Sequence, residues 1–270
     1  MKASKPALED YLVLILLSAI WGAPFLFLRI APPVFGPFFL IEMRVASALL
    51  VLLPVCFVLG KQHEIIANWR PIFLLSICNM TVPFCLLAYA TLSIGAGFAS
   101  SINATVPFFT AIIAFVLWKQ RLAFTAIVGM LIGFIGVVLL MLDYSGPISA
   151  NANLLAIAAG ILGSVFYGLA INLMAQFLPK VSGVAVTTGS LLFSSLILLP
   201  LAVWQMPAVM PTGPIWLSVF SLGIICTGFA FVLFYRLISR IGSNLAVTNT
   251  FLIPLFSLFW ANLFLAEEVT

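Results

Sequence analysis

Nine stretches of this chain each run for about 20 residues with hardly a charge among them, and nothing else in the sequence limits its fold so tightly. They are Tyr11–Ile30, Pro37–Leu59, Pro71–Thr91, Gly97–Leu117, Ala123–Leu142, Asn153–Ala175, Gly183–Trp204, Pro214–Leu237 and Ser243–Leu265. Inside hydrocarbon every backbone N–H and C=O must be satisfied within the structure, which leaves only helices and closed barrels. Barrel strands alternate in polarity and last about 10 residues, so these longer unbroken runs exclude a barrel. Pro37, Pro71 and Pro214 stand at helix starts, where the missing N–H costs nothing. Composition agrees: 64% of the 270 residues are hydrophobic and 7% charged, against roughly 25% charged in a soluble domain. The predicted fold class is all-α, a polytopic bundle of membrane helices. The first run follows Lys2 and Lys5 as a signal peptide would. Trp21 and Pro24 stand where a small-residue cleavage site belongs, so it is read as a retained helix.

The basic residues orient the bundle. With the N-terminus in the cytoplasm, Lys2, Lys5, Lys61, Arg70, Lys119, Arg121, Lys180, Arg236 and Arg240 all fall inside. Arg29 alone falls at an outer end, and Arg44 lies within the second run. That bias follows the positive-inside rule.

The chain also repeats itself. Ile94–Ala123 and Ile241–Thr270, laid over each other at an offset of 147, share Ile, Gly, Ala, Pro, Phe and Ala at six positions. At an offset of 146, Trp21-Gly22 meets Tyr167-Gly168, Pro54 meets Pro200 and Tyr89 meets Tyr235. We read a unit of five helices written twice, residues 1–146 and 147–270. Five is odd, so the second copy is expected to cross the membrane inverted, with a substrate site near mid-membrane between the halves. The second copy shows four runs, and a tenth helix is expected beyond Thr270. Without it, an apolar groove is expected beside Ser243–Leu265.

These features resemble the drug/metabolite transporter superfamily, and within it the EamA-like permeases. The likeness rests on Trp21-Gly22, on Arg44, and on Pro107 with the helix exit Trp118-Lys119-Gln120-Arg121-Leu122. Gly129, Gly133 and Gly136-Val137 extend it, as do Pro254 and the exit Glu267-Glu268-Val269-Thr270. Family members often have glutamate at both exits; here the first has Gln120. The resemblance implies a ten-helix carrier in a bacterial inner membrane, often an exporter of amino acids or similar metabolites. Its partners would be a small-molecule solute and the lipid bilayer, with the protein a monomer or homodimer and no nucleic acid involved.

Several residues could carry the chemistry. Glu42 and Arg44 are opposite charges inside one predicted helix, and buried ionisable groups in a membrane normally face the bundle interior with a partner. Two residues apart, they point away from each other on a helix. Each is either a structural or snorkelling group near the outer face or a gating or substrate-carboxylate group. Trp21 and Tyr167 sit near mid-helix at matching positions, as cavity lining or as plain packing. Asn79, Asn103, Asn172 and Asn249 carry amides that hydrocarbon cannot satisfy; Asn79, nearest mid-membrane, is the first choice for solute contact. The bland alternative for each is an interhelical hydrogen bond of about 0.6 kcal/mol. Pro107 and Pro254 are expected to kink the fourth and ninth helices, either as hinges or as static kinks.

Other classes have less to stand on. No G-x-x-x-x-G-K-[ST] loop is present, so the chain is not expected to hydrolyse ATP itself. A lipid-modifying enzyme needs a nucleophile with its base, or metal ligands. His63, the single histidine, lies in a charged loop, and Cys56, Cys78, Cys85 and Cys226 lie in apolar runs without metal-type spacing. No cofactor or metal is expected. An accessory subunit without transport activity is the remaining alternative, and an inverted duplication argues against a mere scaffold.

Overall fold

A computed structural model describes residues 7–119 and 150–265, apart from 212, 242–245, 247–248 and 250–251, with five further residues between 128 and 136. Among the described residues every regular element is helical. We name the main helices in order. They are α1 (Leu8–Gly22), α2 (Pro37–Val58), and α3, built from Trp69–Ser76, the π-helical Ile77–Thr81 and Val82–Ala90. Next come α4 (Ala96–Asn103) and α5 (Val106–Trp118), α6 (Ala150–Phe177) and α7 (Gly183–Trp204). Then α8 joins Gly213–Phe220, the π-helical Ser221–Phe229 and Ala230–Ile241, and α9 is Ile253–Leu265. A short helix, Pro24–Ile30, continues α1.

Among the described residues seven segments are long and apolar enough to cross a membrane, and Ile253–Leu265 is a shorter apolar helix. Their outer faces are apolar too, with Leu50 76%, Val203 65% and Phe264 63% exposed. Such faces suit lipid and not water. The chain is an integral, multi-pass membrane protein. The predicted fifth run, Ala123–Leu142, lies mostly outside the described residues.

The helices match in pairs. α2 and α7 are each 22 residues long, and both of their ends are offset by 146. α5 and α9 are each 13 residues long, and both of their ends are offset by 147. The same spacing carries the π segment of α3 into the π segment of α8. α2 and α7 pack together and run antiparallel. At one end the Phe38 N–H donates to Gln205 Oε1 at 2.7 Å; at the other, after α2, Glu64 Oε2 accepts from the Ser182 N–H at 2.7 Å.

Two expectations need correcting. Among the described residues Pro107 and Pro254 stand at helix starts and not in mid-helix. Each is the second residue of a new helix, α5 or α9, and a turn at Ala104–Thr105 separates α4 from α5. In mid-helix, proline has no N–H for the i−4 carbonyl and its ring crowds that oxygen. In a first helical turn neither matters. The run Ser243–Leu265 is likewise not one long helix among the described residues, because α9 begins at Ile253 and extends only about 20 Å at 1.5 Å per residue. Beside α9 lies an apolar groove of about 230 Å³, where Trp260 faces Leu16, Ile20, Phe27 and Ile225.

Candidate functional site between the halves

The helix breaks determine how α1 and α6 hold the segments they cross. A broken helix leaves carbonyls without intrahelical partners, and these need other donors when buried. At the first break, Ile102 O accepts from Thr105 Oγ1 at 2.6 Å and from Ser164 Oγ of α6 at 3.2 Å. At the second, Asn249 O accepts from Ser18 Oγ of α1 at 3.3 Å. Ser18 and Ser164 occupy matching positions, and each also donates within its own helix, to Leu14 O at 2.8 Å and Gly160 O at 3.1 Å. α6 therefore braces the end of α4, and α1 braces the turn that leads into α9.

Glycine makes this bracing possible. A Cβ on Gly22 would lie 2.7 Å from Phe256 Cβ, and one on Gly168 would lie 2.7 Å from the Thr110 N, both closer than real Cβ contacts. Only a residue without a side chain lets α1 and α6 seat this tightly on α9 and α5. Asn172 Nδ2 adds a hydrogen bond to Thr110 O at 2.9 Å, so its amide serves packing, the bland alternative for that residue.

Between these braces lies a polar layer. Arg44, 7% exposed, reaches from α2 to α8, where its Nε donates to Thr227 Oγ1 at 3.0 Å. The Thr227 hydroxyl in turn donates to Leu222 O at 2.8 Å. The guanidinium lies 3.8 Å from the centre of the Phe84 ring, a cation–π contact. Tyr167 of α6 meets Phe84 edge-on, with ring centres 6.3 Å apart. Thr227 is near the middle of α8, so Arg44 reaches inward and does not snorkel. Glu42, 2% exposed, points instead at α7, where Ser195 Oγ donates to its Oε1 at 2.6 Å and Oε2 has no partner. Glu42 and Arg44 do not pair, as their spacing predicts. Thr81 in the π segment of α3 donates to Ser194 of α7 at 3.0 Å.

The remaining sequence-predicted residues spread around this layer. Trp21 packs against Phe231 and Phe234 of α8, with ring centres 5.6 and 5.0 Å apart. It is not brought together with Tyr167. Asn79 lies within the π segment of α3, half-buried, and its amide takes no partner among the described residues. Asn103 closes α4 at the first break, with a buried Oδ1 that has no partner. Asn249 sits at the second break, fully buried, with neither amide atom paired among the described residues. Pro107 and Pro254 follow those breaks. Sequence reasoning missed Ser18, Ser164, Thr81, Ser194, Ser195 and Thr227. Such hydroxyls in a membrane helix ordinarily bond their own backbone, so only tertiary contact marks them. No group of three His, Cys, Asp or Glu able to hold a metal occurs among the described residues.

Comparison with known proteins adds a family. The model of the EamA-like transporter family matches residues 10–142 and 154–270. An uncharacterized transporter of Archaeoglobus fulgidus is 25% identical over 97% of this chain and 92% of its own length. The uncharacterized transporters YetK and YvbV of Bacillus subtilis are each 24% identical, over 83% and 98% of this chain and 70% and 87% of their own lengths. A protein of known crystal structure superimposes with a TM-score of 0.70 at 19% identity, covering 97% of this chain and 90% of its own, which speaks to the fold alone.

Proposed function

Because this chain belongs to the EamA-like transporter family, we propose that it is a secondary carrier that exports small organic metabolites, such as amino acids, by alternating access. The halves are residues 1–146 and 147–270, the second inverted in the membrane, with the N-terminus in the cytoplasm of a bacterial cell. The solute binds between them, against Tyr167, Trp21 and the amides of Asn79, Asn103 and Asn249. Glu42 and Arg44 gate the path, and the breaks before Pro107 and Pro254 are the hinges.

The observation that supports this most is the crossed bracing of the two broken helices by Ser164 and Ser18. Alternating access needs two arrangements of similar energy, in which one half rocks against the other. At the breaks themselves one hydroxyl from the facing helix meets each carbonyl, Ser164 on Ile102 and Ser18 on Asn249, and such joints can exchange partners as the halves rock. The test is flux into and out of liposomes holding the purified full-length protein, screened against labelled amino acids, amines and nucleotide sugars. Saturable flux of one class is expected; no protein-dependent flux of any class would sink the proposal. Orientation is tested with cysteines at His63 and Val209, both exposed. Labelling at 209 and not at 63 from outside intact cells is expected, and the reverse pattern would overturn the orientation.

A further inference from the structure

A guanidinium has five N–H donors in a planar fork. At Arg44 the structure accounts for one of them, the Nε–H on Thr227. Phe84 covers a face of the group and leaves its Nη edge unspent. Among the described residues no acceptor meets the Nη atoms, and the three ion pairs present there join Lys61 to Glu64 and Arg240 to Glu9 and Asp10. The carboxylate nearest in sequence, Glu42, is turned toward Ser195. Arg44 is thus a buried cation with no counter-charge in reach among the described residues. Such a group is costly unless an anion joins it.

We propose that the transported solute is an organic monoanion, a carboxylate on an apolar or aromatic body, gripped through the Nη edge of Arg44. This rests on the carrier reading above and names its solute class. The fork of Nη donors matches the two oxygens of a carboxylate, side by side. One cation balances one negative charge. A dianionic phosphate would need a second cation, and α7 carries Ser190 where α2 carries Arg44. Phe84, Tyr167 and the small side chain of Cys226 border the cation. They favour a solute whose remainder is apolar and offers a face to stack on an aromatic ring.

The test uses the full-length protein and three near-isosteric probes: 3-phenylpropionate, its amide, and phenethylamine, measured by calorimetric titration at pH 7. A short series of aliphatic monocarboxylates and their amides accompanies them. The carboxylates are expected to bind at least tenfold more tightly than the matching amides, and the amine not to compete. Arg44→Gln is expected to erase that preference, and Arg44→Lys to keep part of it as a point charge without the fork. Should Arg44→Gln not fold, the carboxylate-to-amide ratio of the wild type and of Arg44→Lys decides alone. Equal binding of acid and amide, binding of the amine alone, or no carboxylate binding at all would overturn the anion assignment. If saturable flux of a neutral or cationic solute accompanies such a result, the carrier reading stands and only the solute class falls. If no solute of any class moves, both fall.

Discussion

Single residues set how closely the helices approach. Gly22 and Gly168 each sit where a methyl group would collide with the backbone of the opposing broken helix. Gly168→Ala and Gly22→Ala are therefore expected to lower stability by about 1–3 kcal/mol, the usual cost of overpacking. Thermal unfolding in detergent would show it, and midpoints equal to wild type would mean that the neighbouring helices yield freely. Asn79 makes the opposite forecast. Its amide is unpaired within a π segment, and π segments in helices frequently mark functional positions. Asn79→Leu keeps volume and removes polarity, so it is expected to reduce flux severalfold with little loss of folded protein. Equal losses of flux and of folded yield would assign Asn79 to packing instead.

At the scale of helices, the sequence was readable where hydropathy alone decides, and silent where tertiary contact does. The span predicted for the seventh run, Gly183–Trp204, coincides with α7, and the second run overshoots α2 by one residue. Both are long apolar runs with clear polar or turn-forming ends. The fourth run agrees to within a residue with the apolar span Phe98–Trp118, but the turn inside it was not foreseen, because a proline in an apolar stretch fits a kink as well as a restart and hydropathy does not distinguish them. The π segments were missed altogether, since an extra residue per turn leaves no mark on composition. Of the site residues, Arg44, Glu42 and the asparagines stood out as polar groups that hydrocarbon does not tolerate. The hydroxyls at the breaks did not, because Ser18 and Ser164 also bond their own helices. The breaks lead to a third prediction. Pro107→Ala and Pro254→Ala restore an N–H that would let each pair of segments fuse into one helix. Turnover is expected to fall several-fold in each while folded yield and solute affinity hold. Unchanged turnover in both variants would remove the hinges from the mechanism.

At the scale of the molecule, two ties close opposite ends of the α2–α7 pair, and one of them titrates. Lys61 Nζ lies 2.6 Å from Glu64 Oε1, and the Ser182 N–H donates to Oε2. Lys61 first, and then the Ser182 backbone, hold the Glu64 carboxyl down from 4.5 to about 2. A depressed carboxyl stabilises the folded state fully above its ordinary value and loses that contribution as pH falls through the folded one. The tie is expected to be intact above pH 4.5 and to weaken from there toward pH 2. Glu64→Gln removes the charge throughout. Stability of the wild type measured relative to this variant is expected to decline across that window, and a constant difference would show that the tie carries no titrating energy. The ion pair of Arg240 with buried Asp10, 2.9 Å, fastens α1 to α8 at the same membrane face by the orientation proposed above.

The crossed bracing also has a consequence for how the chain is made. α1 leaves the ribosome first, yet its seat is on α9, which arrives after all the other described helices. The carbonyl freed at Ile102 likewise waits for Ser164, two helices later in synthesis. The early helices thus enter the bilayer with the Ile102 carbonyl held only by its own turn and with α1 unplaced, and reach their final packing only after the later helices are inserted. Two separate polypeptides, cut between Leu142 and Ala150 and produced in the same cell, are expected to find each other and accumulate. Either piece produced alone is expected to be degraded, and pulse-chase labelling of the three cases would register the difference.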